Sequence, residues 1–113
     1  MGVFNGLFPV LPGKEDAFRS FVKEVDGPRR EGFESLQSRS GTTRETWTLA
    51  STPDGSVVVV WFEGDVEKAF TDLATDDDEF TVWFRASILD VTGVDMSVPD
   101  DSPPPETVFD WSA

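Results

Sequence analysis

The sequence predicts an α+β domain in the order strand, helix, strand, strand, helix, strand, with a four-stranded antiparallel sheet and helices on one face. Three observations carry that prediction. Two β-prone runs, 42–50 and 56–63, flank the turn-forming Thr52-Pro53-Asp54-Gly55. Apolar residues recur at helical spacing at Phe18, Phe21, Val22 and Val25, and again at Phe80, Phe84, Ile88 and Val91. Short β-prone runs stand at 3–10 and 94–98.

In chain order, Phe4 and Phe8 share one face of the first strand, and Pro9 suits its end or an edge. Pro12-Gly13 breaks the strand, and Lys14-Glu15-Asp16 opens a helix with acids in the first turn, where the dipole favours them. Gly27-Pro28 interrupts that helix, and the pattern resumes with Phe33 and Leu36 before ending near Gly41. One broken helix and two stacked helices both fit. In the hairpin, setting Ala50 opposite Val57 places Arg44 against Glu63 and Thr46 against Trp61. Leu49, Trp47 and Glu45 then oppose Val58, Val60 and Phe62 on the other face. This register makes a cross-strand ion pair and one dense apolar face, although a one-residue slip is the competing arrangement. Asp65 caps a short helix carrying Val66, Phe70 and Leu73. The acidic run Asp76 to Glu79 precedes the last helix, which Gly93 ends. Val94 to Val98 supplies the fourth strand, completing a ferredoxin-like βαββαβ arrangement over residues 1–98. Residues 99–113 form a Pro-rich extended tail, in which Phe109 and Trp111 are either loose or docked on a partner subunit.

The chain has 113 residues and contains no His, no Cys and no Tyr. Catalysis by serine-histidine or cysteine-histidine pairs, thiol redox chemistry, and zinc or haem ligation by the usual side chains are thereby excluded. No metal and no cofactor is expected. Neither is a nucleotide, because Gly27 and Gly32 flank a broken helix and follow no strand. Acidic residues outnumber basic ones by 22 to nine, so the surface repels phosphate backbones and anionic bilayers. Solubility by self-repulsion and adaptation to a salty cytoplasm both account for that acidity. Nucleic acid and membrane are therefore not expected partners, and a cytoplasmic location is the default in the absence of a secretory signal or a membrane span.

The second sheet face, with Thr46, Thr48, Val59 and Trp61, is too apolar to be left in water. A partner sheet is the simplest cover, which predicts a two-fold homodimer through the sheet face.

The first strand followed by Leu11-Pro12-Gly13-Lys14-Glu15 resembles the beginning of the dimeric α+β-barrel superfamily, which includes antibiotic-biosynthesis-monooxygenase-like proteins. The resemblance covers roughly residues 3–98 and is strongest to a small uncharacterised branch. Its elements appear here as Pro12-Gly13-Lys14, Glu63-Gly64-Asp65 and Trp83-Phe84-Arg85. It implies a dimeric α+β barrel with a ligand cleft between helices and sheet. Haem-degrading and chlorite-decomposing relatives need a His, and ring-cleaving members often use His or Tyr, so those activities do not carry over.

With that cleft, the hairpin register points Glu45 among Trp47, Phe62 and the helix aromatics. A carboxylate there is costly unless paired, and Arg29, Arg30 or Arg85 would supply the partner. One reading makes Glu45 a catalytic base raised by desolvation; the plainer one makes it a structural ion pair. Arg29 and Arg30, the only adjacent basic pair, either hold a ligand carboxylate or pair with Glu24, Glu31 and Glu34. Trp47, Phe62, Trp83 and Arg85 complete the candidate ligand-binding set. The acidic run 76–79 lacks the spaced oxygen ligands of a calcium loop and reads as capping and solvation. Three functions follow. The chain is a binding protein for a small apolar or aromatic ligand, a cofactor-independent monooxygenase or isomerase with a carboxylate-arginine site, or a non-catalytic interaction protein working through its tail.

Overall fold

A computed structural model describes residues 2–100 and 102–113; Met1 and Asp101, the latter within the Pro-rich linker, lie outside the described residues. The elements are β1 (Gly2–Pro9), α1 (Glu15–Asp26), α2 (Arg30–Ser40), β2 (Arg44–Thr52), β3 (Gly55–Gly64), α3 (Val66–Thr75) and α4 (Glu79–Thr92). No helix is long and apolar enough to cross a membrane.

Antiparallel pairing builds a three-stranded sheet in the order β1-β3-β2. The hairpin register is the one that puts Trp47 opposite Val60 and Glu45 opposite Phe62. Alternation along β1 adds Phe4 and Phe8 to the same face, beside Phe62 and Val58. That face meets the helices, and Val58 and Phe62 are buried there. Gly64 closes β3 where a side chain has no room: a Cβ would sit 2.8 Å from both Gly41 O and Thr42 Cα. This close approach ties the end of β3 to the segment joining α2 to β2.

The expected fourth strand is absent among the described residues, which corrects the four-stranded ferredoxin-like βαββαβ arrangement and the barrel built from it. Residues 94–98 turn instead. Asp95 Oδ1 accepts from Ser97 N at 2.9 Å and from Ser97 Oγ at 2.6 Å, and Val98 N donates to Asp95 O at 3.2 Å. The alternation of Val94, Met96 and Val98 imitates a strand, but Asp and Ser offer the backbone nearer partners than a ladder would.

Gly27-Pro28 yields two helices, not one bent helix: Arg29 N reaches back to Glu24 O at 2.8 Å, and α2 starts anew at Arg30. Asp65 and Asp78 cap α3 and α4 by accepting from Lys68 N at 3.1 Å and Thr81 N at 3.2 Å. Gly93, at φ 75°, closes α4 in the left-handed region that glycine tolerates. Arg44 does stand opposite Glu63, but the expected ion pair is replaced by Thr43 Oγ1 donating to Glu63 Oε1 at 3.2 Å.

The core lies between the sheet and the four helices. Phe18, Phe21 and Val25 of α1, Leu36 of α2, and Phe80, Phe84 and Val91 of α4 are buried in it. The opposite sheet face is bare: Val3, Leu7 and Val59 are exposed, with Trp61 half-buried beside them. In the tail, Val108, Phe109 and Trp111 are exposed, and the described residues of the segment form no helix or strand.

Candidate functional site

One helix interrupts the close packing of the core. α3 presents Ala69, Phe70 and Leu73 toward the sheet, yet none of its residues is fully buried. Phe70 meets Phe4 edge-on at 4.9 Å and Phe62 at 5.7 Å between ring centres. Next to these rings lies a partly open cavity of about 100 Å³, walled by aromatic and aliphatic side chains from β1, β2, β3 and all four helices. Folded interiors hold few voids larger than a water molecule. A void of this size costs about 2 kcal/mol where it is closed and empty, and less where solvent enters.

Glu45 is the only ionisable side chain lining this cavity among the described residues. It lies there because the hairpin register turns odd-numbered residues of β2 toward the helices. Its carboxylate is held by two neutral donors. Gln37 Nε2 donates to Oε1 at 2.8 Å, and Trp47 Nε1 donates to Oε2 at 2.6 Å. Enclosure among hydrocarbon pushes the Glu45 carboxyl above the usual glutamate range, and the N–H groups of Trp47 and Gln37 oppose that rise without cancelling it.

None of the three candidate arginines reaches Glu45, so the expected carboxylate-arginine pair is corrected. Arg29 donates to Glu79 Oε1 at 2.9 Å and lies 4.2 Å over the Trp83 ring. Arg30 pairs with Glu34 at 2.8 Å and with Asp26 at 3.5 Å on the exposed side of α2. Arg85 donates to Leu73 O at 2.9 Å and Asp76 O at 2.6 Å, satisfying carbonyls where α3 ends. The break between α1 and α2 aims Arg29 along the outer helix layer, and the acidic loop before α4 offers nearer acceptors than the cavity does. Trp83 lines a shallow groove between α1 and α4 that shares Phe21 and Val91 with the cavity wall, and Trp83 itself, with Arg29 over its ring, does not line the cavity. Of the candidate residues, the structure therefore brings together Glu45, Trp47 and Phe62 around the cavity, and places Arg29, Arg30, Trp83 and Arg85 elsewhere.

Two cavity features escaped the sequence reading. Gln37 lies one turn after Phe33 on the inward stripe of α2, so a polar side chain on an apolar stripe was the available signal. Ser40, one turn after Leu36, is the second. Its hydroxyl lies within hydrogen-bond distance of Leu36 O (3.1 Å), Gln37 O (3.2 Å) and Thr42 Oγ1 (3.1 Å). The acidic run acts in the helix layer: Asp76 and Asp78 each pair with Arg39 Nη2 at 3.2 Å.

The direction of the Glu45 shift sets a pH dependence. Between the ordinary glutamate range and its raised value, the folded chain holds a proton that the unfolded chain has released. Stability contributed by this group is therefore present at low pH and lost as pH rises through that window. Asp78 works in the opposite sense. Partial desolvation raises its carboxyl, but bonds from Thr81 and the charge of Arg39 outweigh this and leave it lowered. Its contribution is lost instead as pH falls. Urea unfolding from about pH 4 to 7 should show the wild-type chain losing stability relative to Glu45→Gln as pH rises. A constant difference between the two would show that Glu45 titrates alike in both states.

No protein family, curated protein or solved structure matches the chain.

Proposed function

We propose that this protein binds a small apolar or aromatic molecule between its helices and its sheet, with Glu45 as the polar anchor. The observation that carries this reading is the cavity itself: hydrocarbon walls, space for a ligand, and one enclosed carboxylate. Binding sites for small molecules commonly combine a mostly apolar lining with a few placed polar groups. At about 100 Å³ the space is about two-thirds of an engineered apolar cavity of about 150 Å³ that takes up benzene, so a single ring is the upper limit and would reach into the partly open mouth.

Ligand-observed NMR with toluene as the probe tests this. Toluene should bind the wild-type chain and lose at least about tenfold in affinity to Ala69→Leu, which fills the cavity from α3 without changing its charge. Absence of toluene binding, or binding indifferent to Ala69→Leu in a folded variant, would overturn the reading.

The Glu45 carboxyl favours a second reading, proton transfer on a bound substrate, because a carboxyl raised by burial is suited to act as acid or base nearer neutral pH. Such an isomerase would run on Glu45 without an arginine, since among the described residues no arginine lines the cavity. The protein also assembles, in our proposal, as a homodimer through its bare sheet face. Kinship with the dimeric α+β-barrel proteins belongs to the same proposal, supported by the Pro12-Gly13-Lys14 helix start and the placing of all helices on one face.

A further inference from the structure

We propose that the cavity selects single-ring ligands carrying a protonated amine, for which the Glu45 carboxylate acts as counterion. This inference rests on the binding reading above and narrows it to a chemical class.

Hydrogen-bond accounting points to the charge of the ligand. Both Glu45 oxygens are engaged by neutral N–H groups, which orient the carboxylate but leave its charge uncompensated. Six of the nine cations pair elsewhere: Lys14 with Asp90, Arg19 with Asp16, Arg29 with Glu79, Arg30 with Glu34, Arg39 with Asp76 and Asp78, and Lys68 with Asp72; Lys23 and Arg44 form no ion pair among the described residues, and neither lines the cavity. Arg85 serves backbone carbonyls. No lysine or arginine lines the cavity among the described residues.

The remaining polar lining is short of free donors. Trp47 spends its indole N–H on Glu45. The Ser40 hydroxyl donates to carbonyls of α2 and lies 3.1 Å from Thr42 Oγ1, and Thr92 Oγ1 donates to Ile88 O at 2.6 Å. Acceptor capacity is in surplus. Each carboxylate oxygen keeps a lone pair, and the amide oxygen of Gln37 accepts no side-chain or backbone bond among the described residues. An ammonium group carries three donors and a positive charge, the complement of this inventory. The aromatic walls, including Phe4, Phe62 and Trp47, suit both a ring and an adjacent cation. A net charge of −13 raises the local concentration of cations around the mouth. A carboxylate ligand would meet Glu45 with like charge and only the second N–H of the Gln37 amide to offset it.

The test compares benzylamine, toluene and benzoate, which share a ring and differ in charge, by ligand-observed NMR at neutral pH. Benzylamine should bind at least about tenfold more tightly than toluene, and benzoate not measurably. Glu45→Gln, nearly isosteric, should abolish the preference for benzylamine over toluene, both being measured on the same variant. Toluene binding without preference for benzylamine would overturn this inference and leave the binding reading standing. A preference that survives Glu45→Gln would also overturn it, assigning the attraction to the acidic surface. Failure of all three probes to bind would overturn the binding reading and this inference with it.

Discussion

Replacing Phe84 by Ala is expected to remove about 3–5 kcal/mol of stability, a large share of the roughly 5–15 kcal/mol that holds a domain folded. Phe84 is 5% exposed and its ring is the hub of the aromatic cluster. Its centre lies 5.3 Å from Phe80, 5.5 Å from Phe21, 5.8 Å from Phe33 and 6.0 Å from Trp47. These partners come from α1, α2, α4 and β2, so a single truncation loosens the helix layer from itself and from the sheet. Phe84 also borders the cavity. The space it vacates joins an existing void and leaves its neighbours little to collapse onto, which puts the cost toward the upper end of the range. Urea unfolding should show the loss at unchanged slope, with Phe84→Leu costing about 1.5 kcal/mol or less because most of the volume is kept. A loss below about 1 kcal/mol for Phe84→Ala would mean that the cluster is not the mechanical centre of the fold.

The second large effect concerns assembly. Sedimentation equilibrium should report twice the 12.5 kDa mass of one chain, with Val59→Lys reverting it to one. Leu7 is 70% exposed in the single chain, and it stands in register with Val59 of the central strand, which in turn faces Thr48. Val3, Val57 and Trp61 extend the same face. A two-fold contact repeats every substitution, so Val59→Lys buries two unpaired charges and should weaken association at least about a hundredfold. The side chain is on the solvent side of the sheet, so the variant should remain folded. Each chain carries −13, and salt should therefore tighten the pair by screening their repulsion. A single-chain mass for the wild type at high micromolar concentration in molar salt would overturn the homodimer.

Residues constrained from two sides were legible in the sequence. The β2–β3 register was readable because a slip would move Trp47, Leu49, Val58 and Val60 off the core face together. Gly93 was readable because a left-handed cap has few other solutions. The segment 94–98 misled because alternation alone does not reveal that Asp95 captures its own neighbours. Glu45 could be placed in the cleft from its register, but its partner could not be named. In a chain with 22 acidic residues, each arginine has several nearby carboxylates to choose from, and Arg29, Arg30 and Arg39 took the ones on or beside the helices. Gln37 was overlooked since an uncharged amide is an unremarkable residue on a helix until something across the cavity needs its N–H.

The shallow seating of α3 has a consequence for the energy landscape. A helix that seals no residue completely is held to the body by Phe70 against Phe4 and Phe62 and by Arg85 at its end, while Asp65 caps only its own first turn. Amides in such an element exchange with solvent through partial opening, at a free energy well below that of global unfolding. The route by which a ring reaches Glu45 and the first step by which the chain comes apart would then be one motion. A ligand that holds α3 down would slow both, and hydrogen exchange in 66–75 would register occupancy as protection confined to that helix.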